Sequence, residues 1–189
     1  MDLFTADPLL TVQPGVQPGT EAEYYFLNGH GQQVARAYEE NVSAGMSVAR
    51  FVASAMVPRK VLIDDMHRRP LLAIEKRTFG GTTSVTWPDG RPVGTIENES
   101  KFSGAGFALL DPWERRLGSA KGDFVLNSDF VVRDDADHEV ARVNRTRSPH
   151  GGLGDAYLLR RRYPTLPEPL NTLLVASGIV IDLVVHSDS

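Results

Sequence analysis

From Glu23 onward the chain repeats one pattern. Polar and apolar residues alternate, a polar break follows, then comes a Val or Leu, a small residue, and alternation again. The instances are "EYYFLNGHGQQVARAYEE", "KVLIDDMHRRPLLAIEKR", "TSVTWPDGRPVGTIENES", "FALLDPWERRLGSAKGD" and "DFVVRDDADHEVARVNR". The small residues fall at Ala35, Ala73, Gly94, Gly118 and Ala141. Alternation with period two puts one strand face on a core and the other in solvent. Asn, Asp and Gly in the breaks supply turn geometry and local hydrogen bonds. Each unit is therefore predicted to be a β-hairpin. Five hairpins, with further strands near Leu9–Val12 and Ala156–Arg162, make about a dozen strands. The units are shorter than the ~40 residues of a propeller blade. A closed antiparallel barrel fits them and removes the exposed edges that invite aggregation.

Two stretches break the alternation. In "NVSAGMSVARFVASAM", Val48, Phe51, Val52 and Ala55 stand at helical spacing, which predicts a short helix. The second is the C-terminus, "LPEPLNTLLVASGIVIDLVVHSDS". "TLPE" at Thr165–Glu168 has the form of a capping box, and Pro169 suits a first helical turn. The predicted helix runs over about 168–185. Its apolar run, Leu173–Ile181, is far short of the ~20 residues a bilayer requires, and Asp182 would lie within the span. Yet apolar residues occur on every face, so the helix must be buried on every side. In an otherwise all-β chain the place for it is inside the barrel. Residues 1–20 are read as a short tail with an edge strand at "LLTVQ", and residues 21–189 as one barrel domain containing the helix.

Composition narrows the chemistry. The 189 residues carry a net charge of -4, so any attraction to an anionic surface must come from a local basic patch, and no nucleic-acid partner is expected. There is no cysteine, which excludes disulfides, thiolate zinc sites, cysteine nucleophiles and S-palmitoylation. "MDLFTADPLLTVQPG" lacks the apolar stretch of a secretory signal, so a cytoplasmic location, peripheral to the membrane, is expected. The N-x-S/T matches at Asn41, Asn98 and Asn144 then carry no weight.

Taken in order, these segments resemble the phospholipid scramblase family and, beyond it, the LURP-one-related and tubby C-terminal-like barrels. "LLTVQ" is similar to the family's opening strand, and "EYYFLNGHGQQVARAYEE" to its first hairpin. "VLIDDMHRRPLLAIEK", "WPDGRPVGTIENES" and "DFVVRDDADHEVARVNR" are similar to later hairpins, and "LPEPLNTLLVASGIVID" to the closing helix of bacterial scramblase-like proteins. The resemblance spans about Leu9 to Ser187. It implies a twelve-stranded barrel wound around a buried C-terminal helix, and a role in lipid, phosphoinositide or regulatory binding. The chain also departs from the pattern. It lacks the animal scramblases' long proline-rich N-terminal region and cysteine cluster. Where their acidic calcium-associated segment stands, this chain reads "GDAYLLRRR", keeping only Asp155. One carboxylate does not supply the six or more oxygens of a calcium site. The aromatic that closes the family's "K-x-W" motif is missing after "VNR".

Among candidate sites, Arg160, Arg161 and Arg162 form the one concentrated run of positive charge. Arginine makes bidentate contacts to phosphate, so the run is a candidate headgroup or phosphate clamp. Arg115 and Arg116, with Arg68, Arg69, Lys101 and Lys121, join it if the hairpin ends converge. The competing and preferred reading is a solvated strand end, since exposed charges seldom do specific work. "RDDADHE" at Arg133–Glu139 lacks the glycine of a calcium loop and reads as a turn. None of His30, His67, His138, His150 and His186 has a partner at the spacing of a helical zinc pair. "HGGLG" at His150–Gly154 lacks an accompanying nucleophile elbow and reads as a loop. Trp87 and Trp113 stand at turns, as interfacial anchors or as packing over the barrel mouth. Asp182 is expected to bond backbone amides or an arginine. No catalytic residue, metal or cofactor is expected. The expected function is a non-enzymatic binding module for anionic phospholipid or a phosphorylated ligand. A structural or regulatory protein-interaction barrel and phospholipid scrambling are the alternatives.

Overall fold

A computed structural model describes residues 2–13, 23–40, 58–77, 81–99, 105–122, 128–147 and 155–186. The expected short helix around Val48–Ala55, Lys101, and "HGGLG" lie outside them. Twelve strands are β1 (Leu9–Val12), β2 (Glu23–Leu27), β3 (Gln33–Glu39), β4 (Arg59–Asp65), β5 (Pro70–Lys76), β6 (Thr82–Thr86), β7 (Pro92–Asn98), β8 (Gly106–Leu110), β9 (Arg116–Gly122), β10 (Asp129–Asp134), β11 (Glu139–Arg147) and β12 (Asp155–Arg161). Among the described residues one helix, α1 (Leu170–Ile181), continues into a π-helical turn, Asp182–His186. Every strand pairs antiparallel with its neighbours in sequence, and β1 pairs with both β2 and β12, closing the barrel. Closure therefore gives Leu9–Val12, expected at an edge, a partner on each side.

The hairpin tips share one construction. In all five, the first loop residue donates its N–H to the carbonyl of the fifth, and the fourth donates to the carbonyl of the first. The pairs begin at Asn28, Asp65, Trp87, Asp111 and Asp134. This three-residue loop needs a left-handed residue, followed by a bulge. The left-handed residues are Gly31, Arg68, Gly90, Glu114 and Asp137, with φ between 62° and 83°. A register shift accompanies each tip. In four tips an Asn or Asp side chain leads. Its Oδ1 accepts two loop N–H groups, as Asp111 does from Trp113 and Arg115 at 2.8 and 2.9 Å.

Inward residues alternate along each strand, among them Tyr24, Phe26, Ile63, Leu72, Ile74, Ile96, Phe107 and Phe130, all essentially inaccessible. They surround α1, which is buried at every residue except Asn171. Its sides contact β1, β6, β7 and β12, so the helix that is apolar all round is enclosed all round. The helix packs closely on the wall at Gly178, where a Cβ would lie 3.0 Å from Thr11 Oγ1 and 3.3 Å from Tyr157 Cβ. Gly94 and Gly118 are close-approach positions in the wall. A Cβ there would meet a neighbouring carbonyl oxygen at 2.2 and 2.3 Å. No helix among the described residues is long and apolar enough to cross a membrane.

The helix start differs in detail from the capping-box expectation. Pro169 takes the cap position without a side-chain hydrogen bond. Glu168 meets the open end instead, its Oε2 accepting from Thr172 N at 3.2 Å and Thr172 Oγ1 at 2.7 Å. Thr165 lies too far before the first turn to reach it.

Candidate functional site

Three polar assemblies sit on this frame: one inside the barrel below α1, one at the mouth, and one on the outer wall.

Inside the barrel, at the end of α1, lies Asp182. Its carboxylate accepts hydrogen bonds from Tyr24 Oη at 2.8 Å and Tyr157 Oη at 2.9 Å. The partners are thus two phenols from β2 and β12, rather than the amides or arginine expected. Both tyrosines occupy inward positions of their strands, which is why strands far apart in sequence deliver them to one point. Burial pushes the Asp182 carboxyl up from the ordinary carboxylate value; the two hydroxyls act against that, and Asp155 adds to it. Burial and the adjacent carboxylate also hold both phenols protonated, so they serve as donors. Lys76 Nζ donates to the carbonyl of Leu183 at 2.6 Å, placing a cation at the helix C-terminus where the dipole favours it. Arg145 Nη2 pairs with Asp155 at 2.6 Å beside them. Asp155, the one carboxylate that the sequence resemblance singled out, is therefore engaged in an ion pair.

At the mouth, the N-terminal residues fold over the barrel. Leu3 and Ala6 are buried, and Phe4 packs on Trp87 with ring centroids 6.0 Å apart. Arg161 holds this segment in place. Its Nη1 donates to Ala6 O at 2.6 Å, its Nη2 to Phe4 O at 3.3 Å and its Nε to Asn171 Oδ1 at 2.8 Å. Its backbone N–H donates to Asp7 Oδ1 at 3.0 Å. Arg161 thus ties the N-terminal segment to β12 and α1. Strand alternation turns it inward, away from Arg160 and Arg162, so the three arginines do not share a face.

The remaining sequence candidates separate as well. Arg115 is part of a tip: its Nε donates to Asp111 Oδ2 at 2.7 Å and its guanidinium lies 5.3 Å from the Trp113 ring centre. Arg69 does the same for Asp65 at 2.6 Å, and His138 Nδ1 lies 3.5 Å from Asp134 Oδ2. "RDDADHE" is accordingly a turn. Arg116 makes a two-pronged pair with Glu99 at 2.8 and 3.0 Å. Arg68, Lys121, His30 and His67 are exposed at or near strand ends. Trp113 is 75% exposed, whereas Trp87 packs at the mouth. Among the described residues no group of His, Asp and Glu is arranged to hold a metal ion.

The outer wall does bring arginines together, with a different membership. Arg160 stands directly opposite Arg142 across the β11–β12 ladder. Arg162 follows on the same face, its N–H bonded to Val140 O. All three side chains are exposed. Arg142 is held by Glu139 at 2.9 Å and Asp129 at 3.3 Å. Its hydrogen bonds depress the Glu139 carboxyl, with Arg162 and Arg133 adding to the effect. Arg160 and Arg162 form no ion pair among the described residues. Opposed side chains in an antiparallel ladder approach to about 5 Å, and like charges there repel. Arg142 was not a candidate from the sequence. Its pairing with Arg160 is a consequence of register, which no local pattern displays.

The whole chain aligns with an X-ray structure of the Arabidopsis thaliana protein AT5G01750, at a TM-score of 0.57 and 12% identity, covering 100% of this chain and 97% of that one. At that identity the likeness shows the fold. No protein-family profile and no curated relative matches the sequence.

Proposed function

We propose that this chain is a non-enzymatic binding module of the scramblase-like, LURP-one-related and tubby-like barrels. Its outer wall would engage phosphate-bearing anions, phospholipid headgroups at a membrane face among them. The observation that carries the reading is the opposition of Arg142 and Arg160, with Arg162 beside them. Arg142 is already paired with Glu139 and Asp129, so the cations left to an incoming anion are chiefly Arg160 and Arg162, which stand on one face beside it, and a phosphate can accept from both. Translocating lipid through the barrel would require α1 to vacate it and expose Asp182. The enclosed helix therefore favours chemistry on the outer wall.

The test is flotation with vesicles of phosphatidylcholine alone and with added phosphatidylserine, at low and high salt. Binding to the anionic vesicles is expected, weakening as salt screens the charges. The variant Arg142→Ala/Arg160→Ala/Arg162→Ala should bind about 100-fold more weakly, at about 1 kcal/mol for each arginine near the surface. Arg161 is left in place because it anchors the mouth. Soluble inositol hexakisphosphate separates the sources: competition together with vesicle binding supports a headgroup, and binding of the soluble phosphate alone supports a free ligand. Vesicle binding equal in the variant and the parent would remove the wall from consideration.

A further inference from the structure

A groove of about 390 Å³ opens at the barrel mouth beneath the segment that joins β12 to α1. Its floor is apolar, made by Leu117, Val140, Leu166 and Leu170, and the half-exposed ring of Tyr163 forms one wall. Asp134, Asp135 and Glu168 also line it, and no Lys, Arg or His does. Two of these carboxylates already have duties. Asp134 holds the β10–β11 tip, and Glu168 holds the start of α1. Asp135 is exposed and makes no hydrogen bond or ion pair among the described residues. Arg116, Arg133 and Arg162 each precede a lining residue in sequence, but none lines the groove: Arg116 pairs with Glu99, and Arg133 and Arg162 act on Glu139.

This combination restricts the occupant. Three carboxylates disfavour a phosphate, the ligand class proposed for the outer wall. One uncommitted carboxylate does not make a divalent-cation site. A wholly apolar ligand would strip water from the carboxylates without pairing them. A cation on an aliphatic stem satisfies both parts, its methylenes on the leucines and valine and its charge at the acidic rim. The Tyr163 ring face adds attraction for such a cation. The volume lies near the lower end for ligand pockets, about 300–1,000 Å³, enough for two side chains. Because the groove is open on its solvent side, the backbone carrying those side chains can remain outside. We propose that it receives a lysine and the apolar residue two positions before it from an extended segment of a partner protein, since alternate residues of an extended chain share a face.

The experiment is a titration of the ¹⁵N-labelled full chain with acetyl-Leu-Ser-Lys-amide, beside the same tripeptide carrying norleucine or Glu in place of Lys. Saturable shifts are expected at the amides of Leu117, Leu166 and Leu170. The norleucine peptide should bind about five-fold more weakly, and so should the lysine peptide to Asp135→Asn, as expected for a half-exposed ion pair. The Glu peptide should bind more weakly still. Asp135 makes no bond that holds the turn, so this variant should fold. Equal binding of the lysine and norleucine peptides, or an unchanged affinity in Asp135→Asn, would overturn the proposal in favour of a merely apolar pocket. The same shifts appearing on raising the protein concentration alone would overturn it in favour of a second copy of this chain. Shifts confined to other residues would remove the groove altogether.

Discussion

Asp182 is a carboxylate set inside a barrel and held by two phenol hydroxyls. An isolated ionised carboxylate in such a place costs several kcal/mol, which hydrogen bonds to the charged form partly offset. Burial outweighs those bonds, so its proton leaves at a higher pH than in the unfolded chain, where the ordinary value is 3.8. Between the two values the folded state binds more protons than the unfolded one. Stability therefore falls as pH rises through that window, and above it the penalty is present in full. Asp182→Asn carries no charge at any pH. One tyrosine can donate to its carbonyl oxygen while the other accepts from its NH₂, because a phenol hydroxyl does both. Asp182→Asn should thus be at least as stable as the parent at pH 7 and should lose this part of the acid-side slope. Asp182→Ala leaves both phenols without an acceptor and should cost about 2–5 kcal/mol. Urea unfolding from pH 4 to 8 checks both variants. An Asn variant that keeps the parent's slope would show that another group titrates.

The hairpin is the element that the chain reuses, and its tips show what a local pattern can and cannot reveal. The leading Asn28, Asp65, Asp111 and Asp134 were visible because Asx residues announce turns. What that chemistry does to the fifth residue was not visible: it turns Arg115 from a candidate ligand-binding cation into a clamp on Asp111. Nor did the pattern show that three tips place non-glycine residues at positive φ. Glu114 is one of these, exposed, with no side-chain bond among the described residues. A left-handed conformation costs a non-glycine residue about 1–2 kcal/mol, and glycine gives back part of that through its freer unfolded chain. Glu114→Gly should therefore raise stability by about 0.5 kcal/mol, while Gly90→Ala at the equivalent position should lower it by about 1 kcal/mol. The comparison is of urea midpoints at unchanged slope. A Glu114→Gly variant less stable than the parent would show that the tip's geometry is held by something other than φ. The helix was legible for a different reason: a segment apolar on every face has only one place to go in an all-β chain. Its first turn was misjudged because Thr165 and Glu168 match a capping box in spacing, while the chain enters the helix later, at Leu170.

At the scale of the whole molecule, the first and last strands close the wall. The alternation foretold a barrel but not the pairings that assemble its sites. Tyr24 and Tyr157 meet at Asp182 because β1 pairs with both β2 and β12, and Arg142 meets Arg160 through the register of the β11–β12 ladder. The same closure explains Arg161, which looked like a member of a basic run and is in fact a latch. The N-terminal segment supplies both the closing strand and the acceptors that Arg161 uses, Ala6 O and Phe4 O. Removing residues 2–12 should therefore do two kinds of damage. It bares the edges of β2 and β12, which invites self-association, and it uncovers the mouth above α1. The shortened chain is expected to lose its cooperative unfolding transition, to bind a dye for apolar surface and to elute as aggregates. Removing residues 2–7 alone keeps β1 and should leave a folded monomer, destabilised chiefly by the loss of Leu3, Phe4 and the Arg161 acceptors. A synthetic peptide of residues 2–13 should restore the transition to the longer deletion, since its backbone can re-enter between two waiting strands. A sharp transition in a monomer lacking residues 2–12 would mean that the wall does not depend on being closed.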